Sequence, residues 1–155
     1  MITIVVPLDG SALSEGVLPY VENLALRLHA EVYFVQVIDT TLVTSMPITV
    51  PVPIVDQAVR SAEEYLSSLA DEWQAKDIDA KWEVLHGVPA VAIIDFARTH
   101  KAFMIAMSTH GRSGLGRVVF GSVADRVMRE AGIPVLLVRP SEKAGQRPAS
   151  IAVQR

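Results

Sequence analysis

Residues 107–127 read MSTHGRSGLGRVVFGSVADRV, with Gly111, Gly114, Gly116 and Gly121 between an apolar run and a segment of helical pattern. The preceding AFMIAM, residues 102–107, has the length and composition of a buried strand. SVADRVMREAG, residues 122–132, carries apolar residues at helical spacing and ends at a glycine, and PVLLVRP, residues 134–140, is strand-like again. The stretch is therefore part of a βαβ unit whose first connection is rich in glycine. Such a connection is either a cradle for phosphates or a flexible link, and the functional reading depends on which.

The same alternation extends outward. Ile2 to Val6 is a run of mostly β-branched residues closed by Pro7, without the polar alternation of a half-exposed strand. SALSEGVLPYVENLALRLHA follows, with Leu13, Val17, Val21, Leu24 and Leu28 at helical spacing and Ser11 as N-cap. Pro19 lies inside that pattern and is expected to bend the helix and remove a hydrogen bond. EVYFVQVID is a second buried strand. Residues 40–54 hold Pro47, Pro51 and Pro53 and are expected to form a long extended loop before a helix from about Val55 to Ala75. A strand over Ala80 to His86 and a helix in GVPAVAIIDFARTH, with Pro89 near its first turn, lead back to the glycine stretch. The order predicts an open α/β sheet with helices on both faces, joined by right-handed crossovers. Ligands in such sheets bind beyond the carboxyl ends of the strands. The connections after the first and fourth strands, Pro7 to Ser11 and Ser108 to Ser122, fall at that end together.

Composition narrows the function. The 155 residues are 50% apolar and 20% charged, the balance of a globular domain. The net charge of −3 argues against a general nucleic-acid binder, although Arg112, Arg117, Arg126 and Arg129 gather around the glycine loop. There is no cysteine, which excludes disulfides, thiolate metal sites and cysteine nucleophiles. His29, His86 and His100 are scattered, without metal-ligand spacing. No window approaches the roughly 20 apolar residues of a membrane span, and MITIVVPLDG lacks a basic leader segment, so a cytoplasmic protein is expected, with no membrane partner.

Two phosphate-binding fingerprints fail. A G-x-x-x-x-G pattern runs from Gly111 to Gly116, but Arg117 and Val118 stand where Lys and Ser/Thr are required. The dinucleotide pattern G-x-G-x-x-G breaks at Val119, and PLDGSALSEG in the first βα turn does not supply it. What remains is Ser108-Thr-His-Gly111, nine residues, then Gly121-Ser122 opening a helix. In these residues the chain resembles the universal stress protein family, whose nucleotide-binding branch has G-x2-G-x9-G-[ST] in this loop. VVPLDGS, VQVID and GIPVLLVRP are similar to that family's first, second and last strands. The resemblance covers residues 1–140 and leaves 141–155 as a polar tail, expected to be mobile. Ser108 departs from the pattern's first glycine. Its hydroxyl and N–H still donate, so binding is expected to be altered rather than lost.

The resemblance implies a Rossmann-like five-stranded parallel sheet of order 3-2-1-4-5 and an adenine nucleotide as ligand: ATP, with AMP or ADP as alternatives. Carried over by position, Asp9 would contact the nucleoside, Val37 would meet the adenine edge through its backbone, and Pro7 and Leu8 would shape that wall. Gly111, Gly121, Ser122 and the intervening N–H groups would surround the triphosphate, with Mg²⁺ or Mn²⁺ as an accompanying ion. Ser108, His110, Arg112, Ser113, Gly114 and Val123 are further candidates from their place in or beside the loop.

Plainer readings stand beside these. Asp9-Gly10 favours a turn whatever it binds. Gly114 and Gly116 also serve simple loop flexibility, Arg117 solvation, and His110 a structural hydrogen bond; Trp73 and Trp82 read as packing residues. The function expected is that of an ATP-binding stress-response protein, a nucleotide-responsive regulator acting as a homodimer through Pro134 to Val138. The alternatives are a slow ATPase or phosphotransferase, and an interaction module of the same fold that binds no nucleotide. No catalytic residue is identified, because no base or lysine accompanies the loop.

Overall fold

Ile4, Val5 and Val6 are completely buried because strand β1 (Thr3–Pro7) has a neighbouring strand on each side and helices on each face. The computed structural model describes residues 1–41, 52–109 and 121–139. After β1 come a short 3₁₀ turn (Ser14–Val17), α1 (Leu18–Leu28), β2 (Glu31–Ile38), α2 (Val52–Gln74), β3 (Ala80–His86), α3 (Pro89–Thr99), β4 (Met104–Ser108), α4 (Ser122–Glu130) and β5 (Val135–Val138). All strand pairings are parallel and the order is β3-β2-β1-β4-β5, as expected.

Successive strand residues point to opposite faces, so one continuous apolar run feeds two cores. Ile4 and Val6 face α1 and α2, meeting Val17, Val21, Leu66, Ala70 and Trp73. Val5 faces α3 and α4, meeting Ile93, Phe96, Ile105 and Val127. Each fully buried aliphatic side chain contributes about 1.5–3 kcal/mol relative to exposure, which explains why β1 carries no polar alternation. Trp73 is buried edge-on against Phe34, at a centroid distance of 4.9 Å. Trp82 differs from its reading as a packing residue. It lies on the edge strand β3 and is 38% exposed.

Two prolines sit differently from their sequence reading. A 3₁₀ turn precedes α1, so Pro19 falls in the first α-helical turn and not in the interior. N–H groups there have no intrahelical acceptor, so the missing donor costs little. Likewise Pro53 is the second residue of α2 and not part of an extended loop. Ser11 does not cap α1; its carbonyl accepts from Glu15 N–H at 3.2 Å at the entry to the 3₁₀ turn. Residues 42–51, with Pro47 and Pro51, and the tail 141–155 lie outside the described residues.

The strands fork where the order reverses. The β1–β2 register runs to Pro7↔Val35 and the β4–β5 register to Ser108↔Val138. The β1–β4 register ends earlier, at Val5↔Ile105. Beyond that pair the carboxyl ends of β1 and β4 separate, and a crevice opens between them.

Candidate functional site at the strand fork

The chain leaving β1 is held by its own short side chains. Leu8 N–H still donates to Val35 O at 2.9 Å, and then the strand ends. Asp9 Oδ1 accepts from Ser11 N–H at 2.9 Å, an Asx turn, with Gly10 between them at φ +79°. That left-handed conformation favours glycine and turns the chain back on itself. Asp9 N–H donates to Ser14 Oγ at 3.3 Å, while the Ser14 hydroxyl donates to Ser11 O at 2.8 Å. Ser14 N–H donates to Ser11 Oγ at 3.1 Å. On the other side of the fork, Ser108 Oγ donates to Ser14 O at 3.2 Å, tying β4 to the turn.

A cavity of about 300 Å³ occupies the fork. Pro7, Leu8, Val37, Pro89, Ile93, Met107, Val123 and Ala124 supply apolar walls; Asp9, Ser14, Ser108, Gly121 and Ser122 supply polar or backbone surface. Pro7, Leu8, Asp9, Val37, Ser108, Gly121, Ser122 and Val123, scattered candidates in the sequence, thus meet in one cavity. His110, Gly111, Arg112, Ser113 and Gly114 lie outside the described residues. Ser14, Pro89, Ile93, Met107 and Ala124 complete the lining without having been singled out. Ile93 and Met107 sit on apolar faces that read as core, and Pro89 as an ordinary helix start. Ser14 alone had a signal, the run of small polar residues in SALSEG, which instead reads as the beginning of α1.

The cavity joins an apolar slot to the N-terminus of a helix. Helix α4 starts at the cavity, and its N-cap is Gly121, which has no side chain to satisfy the first turn. The first intrahelical bond runs from Asp125 N–H to Gly121 O at 2.9 Å. The N–H groups of Ser122, Val123 and Ala124 therefore have no acceptor within the helix, and the helix end carries about half a positive charge. Asp125, acidic and in the first turn, is paired with Arg129 one turn on. Asp9 provides a carboxylate at the rim, an acceptor for hydroxyl or amino donors when ionised.

Among the described lining residues there is no Lys, Arg or His, and no carboxylate besides Asp9. Among the described residues no group of three or more His, Asp or Glu could hold a metal ion. No helix of the described residues is long and apolar enough to cross a membrane.

A model of the universal stress protein family matches residues 1–139. The chain belongs to the universal stress protein family. A universal stress protein of Methanocaldococcus jannaschii is 35% identical over 144 residues, covering 90% of this chain and 83% of that protein. The universal stress protein YxiE of Bacillus subtilis is 28% identical over 142 residues, covering 86% and 96% of the two chains. Among solved structures, a universal stress protein from Archaeoglobus fulgidus in complex with dAMP superposes with a TM-score of 0.67 at 25% identity. That match covers 88% of this chain and 97% of the other. The five-stranded order β3-β2-β1-β4-β5 of this universal stress protein places its cavity at the reversal point of the sheet.

Proposed function

We propose that this universal stress protein binds an adenine nucleotide in the cavity at the strand fork, ATP being the favoured form. It would act as a nucleotide-responsive regulatory or stress-protective homodimer. The observation that carries the reading is the joining of an apolar slot to the uncapped N-terminus of α4 in one cavity. About 300 Å³ is at the lower end of small-molecule pockets, enough for a base and its sugar with the phosphates directed outward. In this reading Val37, Ile93 and Met107 enclose the base and Asp9 receives the ribose hydroxyls. Gly121, Ser122 and Val123 meet the phosphates with their N–H groups. Gly111 would belong to the same phosphate cradle by the family pattern, and His110, Arg112, Ser113 and Gly114 are further candidates from their place in the loop. The Archaeoglobus relative solved with dAMP supports an adenine ligand.

The nucleotide would act by selecting one conformation for which it has higher affinity. Among the described lining residues there is no lysine, and the one carboxylate, Asp9, already accepts from Ser11 N–H in the turn, which favours a ligand over a rapidly transferred substrate. A divalent ion, Mg²⁺ or Mn²⁺, would be held through the phosphates, with Asp9 as the nearby carboxylate. Calorimetric titration of the purified protein with ATP, ADP and AMP tests the reading. Saturable heat at one nucleotide per chain is expected. Absence of heat with all three would overturn it.

A further inference from the structure

We propose that Tyr65, on α2, is a positioning residue for the cavity: through Glu15 it holds the 3₁₀ turn that presents Ser14 to the ligand. The proposal deepens the nucleotide reading and rests on it.

The connection is continuous. Tyr65 Oη donates to Glu15 Oε1 at 2.8 Å, across 50 residues of sequence. Glu15 is the second residue of the 3₁₀ turn, directly after Ser14. Ser14 in turn accepts from Asp9 N–H through its hydroxyl and from Ser108 Oγ through its carbonyl. One short turn therefore gathers the ends of β1 and β4 at the cavity wall. A single 3₁₀ turn has poor hydrogen-bond geometry and little stability of its own, so its position depends on its tethers. Val17 anchors the far end of the turn in the core, Ser108 tethers Ser14 from the sheet, and Tyr65 tethers Glu15 from the helix layer.

Tyr65 is well placed to act as a fixed point. Its neighbours on α2, Ala62, Leu66, Ala70 and Trp73, are buried against β1, β2 and β3, so the helix cannot shift without disturbing the core. Burial, then the Glu15 hydrogen bond and the negative charges of Glu15 and Asp9, raises the Tyr65 hydroxyl above its ordinary pKa. It remains a donor throughout the physiological range. A hydrogen bond to a charged acceptor is among the stronger polar contacts, and this one is half-buried.

The test compares Tyr65→Phe, Glu15→Ala and Glu15→Gln with the parent. Hydrogen exchange of the ligand-free proteins is read over residues 9–17, and calorimetry gives nucleotide affinity. Tyr65→Phe and Glu15→Ala are expected to raise exchange of the Asp9, Ser14 and Glu15 amides and to weaken ATP binding about fivefold. Glu15→Gln, whose amide oxygen still accepts from Tyr65, should restore both. Unchanged exchange over residues 9–17 in Tyr65→Phe would overturn the proposal. So would increased exchange spread over the whole sheet, or parent-like affinity in a variant whose turn is loosened. If the parent itself binds no nucleotide, the functional reading falls separately, and the ligand-free exchange decides whether Tyr65 holds the turn.

Discussion

Ser108 gains a structural account from its contact with Ser14. The family pattern has glycine at this position, and here the hydroxyl bridges β4 to the 3₁₀ turn at 3.2 Å. A neutral hydrogen bond of this kind contributes about 1 kcal/mol, and a glycine in its place adds an entropic penalty of about 0.5–1 kcal/mol. Ser108→Gly, which restores the family pattern, is therefore expected to lower the melting temperature by about 3–6 °C in a chain of this size. Thermal unfolding followed by circular dichroism checks this. A melting temperature equal to the parent's would mean that the bridge contributes nothing.

Helix α4 sets two requirements against each other at one position. Gly121 caps it with φ −57° and ψ 149°, a conformation open to any residue, yet a residue without a capping side chain stands there. Asp is a better N-cap and a negative charge favours the helix dipole, together about 0.5–1 kcal/mol. Gly121→Asp is thus expected to raise the urea midpoint while weakening ATP binding about tenfold, because its carboxylate occupies the site of the phosphates. Equal ATP affinity in this variant would remove α4 from the phosphate site. At this scale the sequence was readable where one force dominates. Ile4 to Val6, Val32 to Val35 and Ile105 to Met107 read as strands because burial on both faces demands continuous apolar residues. The starts of α1 and α2 were not readable, since Pro19 fits either a helix interior or a first turn, and Pro53 either an extended loop or a first turn. Tertiary contacts of Val17 and Leu66 decide between them. The cavity was half legible. Polar and glycine residues marked its rim, whereas Ile93 and Met107 look like core residues until the β1–β4 register is seen to end at Val5↔Ile105.

In the whole molecule the sheet has two edges of different character. β3 is covered by α2 on one face and carries Lys81 and Glu83, exposed charges that discourage pairing with another chain. β5 carries no charge within its span and, among the described residues, Val135, Leu136 and Leu137 are only half-buried in a strand that ends the sheet. An edge of this kind is a template for a second copy, and a two-fold axis there would bury it in both chains. Light scattering is expected to give about twice the 16.8 kDa of one chain, and Leu136→Lys to shift it towards one. A single-chain mass for the parent at micromolar concentration would contradict the dimer. An NMR titration of the labelled protein with ATP reports where the nucleotide sits as well as whether it binds. Nucleotide binding at the strand fork should concentrate the shifts on the amides of Leu8, Asp9, Ser14, Val37, Ser108 and Gly121 to Ala124, which converge only in the folded crevice. Shifts centred instead on the groove between α1 and α2, around Glu22, Ser68 and Lys76, or no shifts at all, would contradict it.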